Sequence, residues 1–174
     1  MRKIVIDTET TGLSPDQGHR IVELAAIEIN GCEITQNRIH RFFNPEREVD
    51  AGAEAVHGLT LERLKDEPTF DDFAHEFSEY IRDAELIIHN APFDLGFLNS
   101  EFDQVGLPPI ESICKKVTDT LLSAKELFPG KKNNLNALCE RYEIDYSHRT
   151  LHGAMLDAEL LAEVYLKMFH RVLH

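Results

Sequence analysis

The stretch Ile21-Val22-Glu23-Leu24-Ala25-Ala26-Ile27-Glu28-Ile29, closed by Asn30-Gly31, decides the fold. It is a long apolar run that ends in a dipeptide favouring a tight hairpin, whose central positions need the positive φ that Asn and Gly tolerate. Residues 34–43 (ITQNRIHRFF) return from that turn as a strand and stop at Asn44-Pro45. Upstream, residues 3–7 (KIVID) form a short apolar run that reads as a first buried strand with an acid at its end. Three antiparallel strands therefore open the chain.

Beyond them, helix and strand alternate. Phe70, Phe73, Phe77, Tyr80 and Ile81 recur at helical spacing after Pro68-Thr69 and predict an amphipathic helix. Leu86-Ile87-Ile88-His89 reads as a short buried strand, followed by a helix from Pro92 to Val105 that stops at Gly106. Residues 112–118 read as a weaker strand. Helices are expected near 119–127 and 134–142, separated by Pro129-Gly130, and a last one from Gly153 to Arg171. The pattern β-β-β-α-β-α-β followed by helices predicts an α/β fold: a mixed five-stranded sheet, its first three strands antiparallel, with helices on both faces.

At 174 residues the chain fits a single domain spanning 1–174, with no repeat or linker. No apolar run approaches the ~20 residues that span a bilayer. Three scattered cysteines (Cys32, Cys114, Cys139) support neither a disulfide nor a zinc site and fit a reducing cytoplasm. The net charge of −13 argues against a protein that wraps long nucleic acid, because such proteins neutralise many phosphates with a basic face. An acidic enzyme can still act on a chain end if metal ions meet the phosphate charge. The adjacent lysines Lys115-Lys116 and Lys131-Lys132 read as solvated faces, and His89 as a hydrogen-bonded structural residue.

Three short acidic motifs carry the chemistry. Asp7 and Glu9 are two apart at the end of the first strand, so both carboxylates point to one face. Like charges that close push a carboxyl pKa up, and a hard divalent cation such as Mg²⁺ or Mn²⁺ removes the conflict. Asp94, in Asn90-Ala91-Pro92-Phe93-Asp94, falls at a helix start beyond the C-terminal end of a strand, where open α/β sheets bind ligands. His152 and Asp157 are five apart, which no helix face accommodates; the spacing works if His152 lies on a loop and Asp157 in the first turns of the following helix. Each motif alone has an ordinary reading as a solvated turn, a helix-dipole partner or a cap.

In this order the motifs DxE, NxxFD and HxxxxD resemble the DEDDh, or DnaQ-like, 3′→5′ exonucleases. Among these the chain is most similar to the epsilon proofreading subunits of bacterial DNA polymerase III. The similarity runs through VIDTETTGL, AVHGLT, LIIHNAPFDLGFLN, KKVTDTLLSAKELFPGKKNNLNALCERYEID and RTLHGAMLDAELLAEVYL. The resemblance implies a ribonuclease H-like fold, two divalent cations held by Asp7, Glu9, Asp94 and Asp157, and His152 as general base. It also implies that Thr8, Thr10, Leu13, His57, Asn90 and Phe93 surround the terminal nucleotide. Where the family has a Pro-Glu pair this chain has Ala51-Gly52, so a carboxylate expected near the sugar is missing.

By resemblance the substrate is a single-stranded or frayed 3′ end of DNA, and the partners are the polymerase III alpha subunit, a theta-like subunit and the sliding clamp. The C-terminal extension that carries much of the alpha and clamp binding in the family is not expected within residues 1–174. Two other readings stay open: a DEDDh exoribonuclease of the RNase T or oligoribonuclease kind, and a non-catalytic scaffold that keeps the fold for assembly.

Overall fold

An antiparallel meander of β1 (Lys3–Thr10), β2 (Ile21–Asn30) and β3 (Glu33–Phe42) begins the fold in the computed structural model, which describes residues 1–170. The two-residue turn between β2 and β3 is Gly31-Cys32, one residue beyond the Asn30-Gly31 pair expected, because Asn30 still pairs with Glu33; Gly31 takes φ 62° there. β4 (Glu85–Ile88) then pairs in parallel with β1, and β5 (Lys116–Asp119) in parallel with β4, giving the order β3-β2-β1-β4-β5. β1 is thus central, flanked by an antiparallel strand on one side and a parallel one on the other.

A 3₁₀ turn (Pro15–Gln17) and eight α-helices complete the described chain: α1 (Ala51–His57), α2 (Leu61–Leu64), α3 (Asp71–Ile81), α4 (Ala91–Gln104), α5 (Ile110–Ile113), α6 (Thr120–Leu127), α7 (Leu135–Arg141) and α8 (Ala154–Phe169). Strand alternation sorts them into two layers. Ile4 and Ile6 of β1, with Leu24 and Ala26 of β2, face α3 and α4 through a cluster that includes Phe43, Phe70, Phe73, Phe77 and Phe102. Val5, with Ala25, Ile27 and Ile29, faces α7 and α8 through Leu138, Leu161 and Val164. Each fully buried side chain of this size contributes roughly 1.5–3 kcal/mol. Covering both faces explains why β1 and β2 read as continuous apolar runs rather than alternating ones.

Two expectations need correction, and two further points complete the comparison. β1 does not stop at residue 7 but runs to Thr10, because β2 offers partners along its length (Asp7↔Ala25, Glu9↔Glu23) until a bulge between Glu9 and Thr10. The weak strand at 112–118 is the short helix α5 followed by β5, since Pro108-Pro109 lead naturally into a first helical turn while the pairing Glu85↔Lys116 to Ile88↔Asp119 begins only afterwards. Residues 51–64, to which the sequence reading assigned no element, form α1 and α2, too short to show a helical period. α8 ends at Phe169; Arg171, where the last helix was expected to end, lies outside the described residues. No helix among the described residues is long and apolar enough to cross a membrane.

Candidate active site

The two-layer sorting of β1 also places its acids. Asp7 and Glu9 occupy odd positions, on the face covered by α8, and there they meet Asp157 in the first turn of that helix. One carboxylate oxygen from each of the three lies within 4.8 Å of the others. Thr8 faces the opposite layer, and its hydroxyl donates to Asp94 Oδ1 of α4 at 2.5 Å. Asp94, outside that trio, flanks it from the other layer, at the N-terminal turn of α4 just past the end of β4, and its charge is felt at both Asp7 and Glu9. Asn90 makes the sharp change of direction between them, with φ 62°, and its backbone N–H donates to Asp119 Oδ1.

Four carboxylates gathered in a buried site repel one another. Burial, then the charge of Asp94, Glu9, Asp157 and Glu23, holds Asp7 well above the usual carboxylate range. Burial and the charges of Asp157, Glu23 and Asp94 push Glu9 up to about 9, with Arg149 pulling the other way. Asp94 rises to about 7 through burial, moderated by its hydrogen bonds from Thr8. Asp7 Oδ2 is buried without a hydrogen-bond partner. An unpaired buried carboxylate oxygen beside two further acids fits a hard divalent cation, which would neutralise the repulsion and satisfy the orphaned oxygen.

The last element is aligned by groups distant in sequence. Gly153 has no side chain with which to cap α8, so the orphan N–H of Ala154 is taken by Glu23 Oε1 at 3.0 Å, from β2. Glu23 is 4% exposed, and its other oxygen lies 2.6 Å from His40 Nε2. His152 sits on the loop before α8, its N–H donating to Val56 O of α1. Arg149, on the same loop, donates Nε–H and Nη2–H to the two oxygens of Asp157 at 2.7 and 3.0 Å. It also donates to Asn136 Oδ1 at 2.7 Å and lies 3.2 Å from His152 Nδ1. Burial and then the Arg149 charge lower the His152 pKa, favouring the neutral ring.

Beside the acids lies a cleft of about 390 Å³ lined by Glu9, Thr10, Leu13, Gly52, Val56, His57 and Phe93, among others. Of the residues predicted to surround a nucleotide, Thr10, Leu13, His57 and Phe93 meet there. Leu13 is 86% exposed at its rim, and Phe93 packs against Phe97 with ring centroids 5.2 Å apart. Thr8 turns to Asp94 instead, and the Asn90 residue is exposed outside the cleft lining. His57 is buried at the end of α1: its Nε2–H donates to Thr10 O at 2.8 Å, and Nδ1 accepts from Leu59 N–H. It fixes the cleft wall as well as lining it. A Cβ on Gly52 would meet nothing within 4 Å, so the space beside it is open. Gly12 is the reverse case, its Cβ position 2.3 Å from the His19 ring, which bridges Thr11 and Asp50.

Sequence reading missed Arg149, Glu23, Asn136 and the cleft residues Asp50 and Val56. Arg149 stands inside the motif-bearing stretch RTLHGAMLD, three residues before His152, and that proximity was the available signal.

Known proteins resemble this chain over nearly its whole length. The family model RNase T, described as exonuclease, matches residues 4–165. DNA polymerase III subunit epsilon of Escherichia coli K12 is 52% identical over 173 residues, covering 96% of this chain and 71% of that protein. The subunit of the same name from Rickettsia felis is 49% identical over 169 residues, covering 97% and 74%. Among solved structures, exonuclease X in complex with 5′-overhanging duplex DNA superposes with TM-score 0.72 at 25% identity, covering 97% of this chain and 91% of that one. E. coli exonuclease I in complex with a dA16 oligonucleotide shares the fold at TM-score 0.83 and 18% identity, covering 98% and 41%. With a family match over nearly its whole length and half its residues identical to those relatives, the chain belongs to the exonuclease family, in the branch of the DNA polymerase III epsilon subunits.

Proposed function

We propose that the acidic cluster is the hydrolytic centre of a 3′→5′ proofreading exonuclease, formed by residues 1–174 as one domain. Asp7, Glu9, Asp94 and Asp157 would hold two divalent cations, Mg²⁺ or Mn²⁺. Cations bound there supply Lewis-acid stabilisation of the phosphodiester charge and a more acidic water. The observation that carries this reading is the convergence of one carboxylate oxygen each from Asp7, Glu9 and Asp157 within 4.8 Å, together with an Asp7 Oδ2 that is buried without a partner.

The chain's own residues supply the rest. The terminal nucleotide enters the cleft beside Glu9, where Phe93 and Val56 present apolar surface to base and sugar and Leu13 closes the rim. His152 takes a proton from the attacking water, its depressed pKa keeping the ring neutral near pH 7. Arginine only donates, so the ring nitrogen facing Arg149 is occupied in the resting arrangement, and the base acts once that 3.2 Å contact opens. The product is a nucleoside 5′-monophosphate. Selection needs little sequence reading, because a mispaired end unstacks at lower cost than a paired one, which suits a chain of net charge −13.

The working context follows from the relatives, which are named as subunits of DNA polymerase III. The partner is that polymerase in the bacterial cytoplasm, through its alpha subunit, with a theta-like subunit and the clamp as further contacts. An exoribonuclease reading draws on the open space at Gly52, which would admit a bulkier sugar end.

A time course on labelled oligonucleotides tests both readings. Single-stranded DNA, DNA duplexes mispaired or paired at the 3′ end, and matching RNA are compared with Mg²⁺, Mn²⁺ and EDTA. Stepwise loss of 5′-monophosphates, fastest from single-stranded and mispaired DNA and abolished by EDTA, is the expected result. A strong preference for RNA would overturn proofreading in favour of RNA trimming.

A further inference from the structure

We propose that Arg149 is a positioning residue of the hydrolytic centre, its guanidinium holding Asp157 in the orientation that faces Asp7 and Glu9 and, in the resting arrangement, also meeting His152 Nδ1. The inference rests on the reading of Asp157 as a metal ligand. The contact is a two-pronged one: Nε–H to Oδ1 at 2.7 Å and Nη2–H to Oδ2 at 3.0 Å, between side chains only 9% and 7% exposed. Such fork-to-fork pairing fixes the plane of the carboxylate as well as its place. The guanidinium is itself anchored, since Nη1 donates to Asn136 Oδ1 of α7 at 2.7 Å. α7, the α8 ligand and the loop that carries His152 are thereby joined through one side chain.

Asp157 needs this hold because its neighbours repel it. One of its oxygens lies within 4.8 Å of one oxygen each of Asp7 and Glu9, and a freely rotating carboxylate would turn away from both. A carboxylate has about four lone-pair positions, and the fork uses two of them, leaving one on each oxygen for a cation. Loss of an outer partner of this kind typically weakens metal binding about 10–100-fold. Lysine keeps the charge but cannot span both oxygens. The link to His152 has its own signature. Because Arg149 can only donate, Nδ1 of His152 accepts, and the neutral ring carries its proton on Nε2.

Two measurements on the wild type, Arg149→Gln and Arg149→Lys test the proposal: Mn²⁺ affinity by calorimetry, and the imidazole ¹⁵N shifts of His152 in the metal-free protein. Folded Arg149→Gln is expected to bind Mn²⁺ about 10–100-fold more weakly, with Arg149→Lys recovering only part of the loss. The wild-type His152 is expected to show the Nε2–H form with a hydrogen-bonded Nδ1, a signature lost in Arg149→Gln. Wild-type or tighter Mn²⁺ affinity in Arg149→Gln, with unchanged His152 shifts, overturns the proposal. If Arg149→Gln does not fold, wild-type affinity in Arg149→Lys overturns it equally. A wild-type protein that binds no Mn²⁺ would instead overturn the metal-ligand reading, and the proposal with it.

Discussion

Raising the pH of the metal-free protein from 5 to 9 should destabilise it strongly, and Mg²⁺ or Mn²⁺ should restore what is lost. A carboxyl group whose folded pKa lies above its unfolded value binds its proton more tightly in the native chain. Its native state is therefore favoured while the proton stays on, and loses ground as pH rises from the unfolded towards the folded pKa. For Glu9 that window runs from 4.5 to about 9. At ~1.4 kcal/mol per pH decade the full window corresponds to ~6 kcal/mol. Asp94, raised from 3.8 to about 7, corresponds to ~4 kcal/mol by the same conversion. Over pH 5–9 Glu9 accounts for ~5 kcal/mol of its window, and because both acids feel the same cluster the Asp94 cost overlaps with it, so ~5 kcal/mol is the scale expected. Against a typical stability of ~5–15 kcal/mol this is a large share. For a domain of this length it corresponds to a fall in Tm of roughly 10–20 °C. Thermal melts in EDTA across pH 5–9, repeated with saturating Mg²⁺ or Mn²⁺, measure it. Glu9→Gln supplies the control, because it removes one titrating acid but leaves His89 and His152, whose lowered pKa values act in the opposite direction. A Tm that stays level from pH 5 to 9 in EDTA, or the same slope in Glu9→Gln, would refute the electrostatic account of the site.

Further outcomes follow from single side chains. His152→Ala should lower kcat by about 10²–10⁴-fold while leaving Mn²⁺ affinity near wild type, a split read by single-turnover kinetics and calorimetry; full turnover would remove His152 as the base. Gly12→Ala should cost about 1–3 kcal/mol, since the new methyl falls 2.3 Å from the buried His19 ring, and a denaturant midpoint equal to wild type would contradict that packing.

Much of the fold and the core of the site were legible in the residues themselves. Asn30-Gly31 between two apolar runs marks a hairpin whatever surrounds it, and the runs at 3–7, 21–29 and 34–43 became β1, β2 and β3. The spacing of Phe73, Phe77 and Ile81 became the inner face of α3, with Phe70 at its N-cap. Asp94 in the first turn of α4, and His152 on the loop before Asp157, fell where the turn residues around them implied. These are local properties, set by backbone preference and by periodicity along the chain.

Other features were decided only when distant segments met. β1 continues to Thr10 because β2 supplies its partners, and the alternation of that strand sends Thr8 to α4 and Glu9 to α8. α1 is too short to announce itself, yet His57 at its end braces Thr10 and so shapes the cleft. Glu23 caps α8 from 131 residues away, an assignment no local pattern contains. Arg149 was in plain view beside His152, but its partners Asp157 and Asn136 lie on two helices whose packing alone brings them to one guanidinium. Sequence by itself determined the longer elements and put Asp7, Glu9, Asp94, His152 and Asp157 at or near their ends, because those features depend on neighbours along the chain. The tertiary structure decided which carboxylates share a site and what holds them there, because charge and hydrogen bonding act across space.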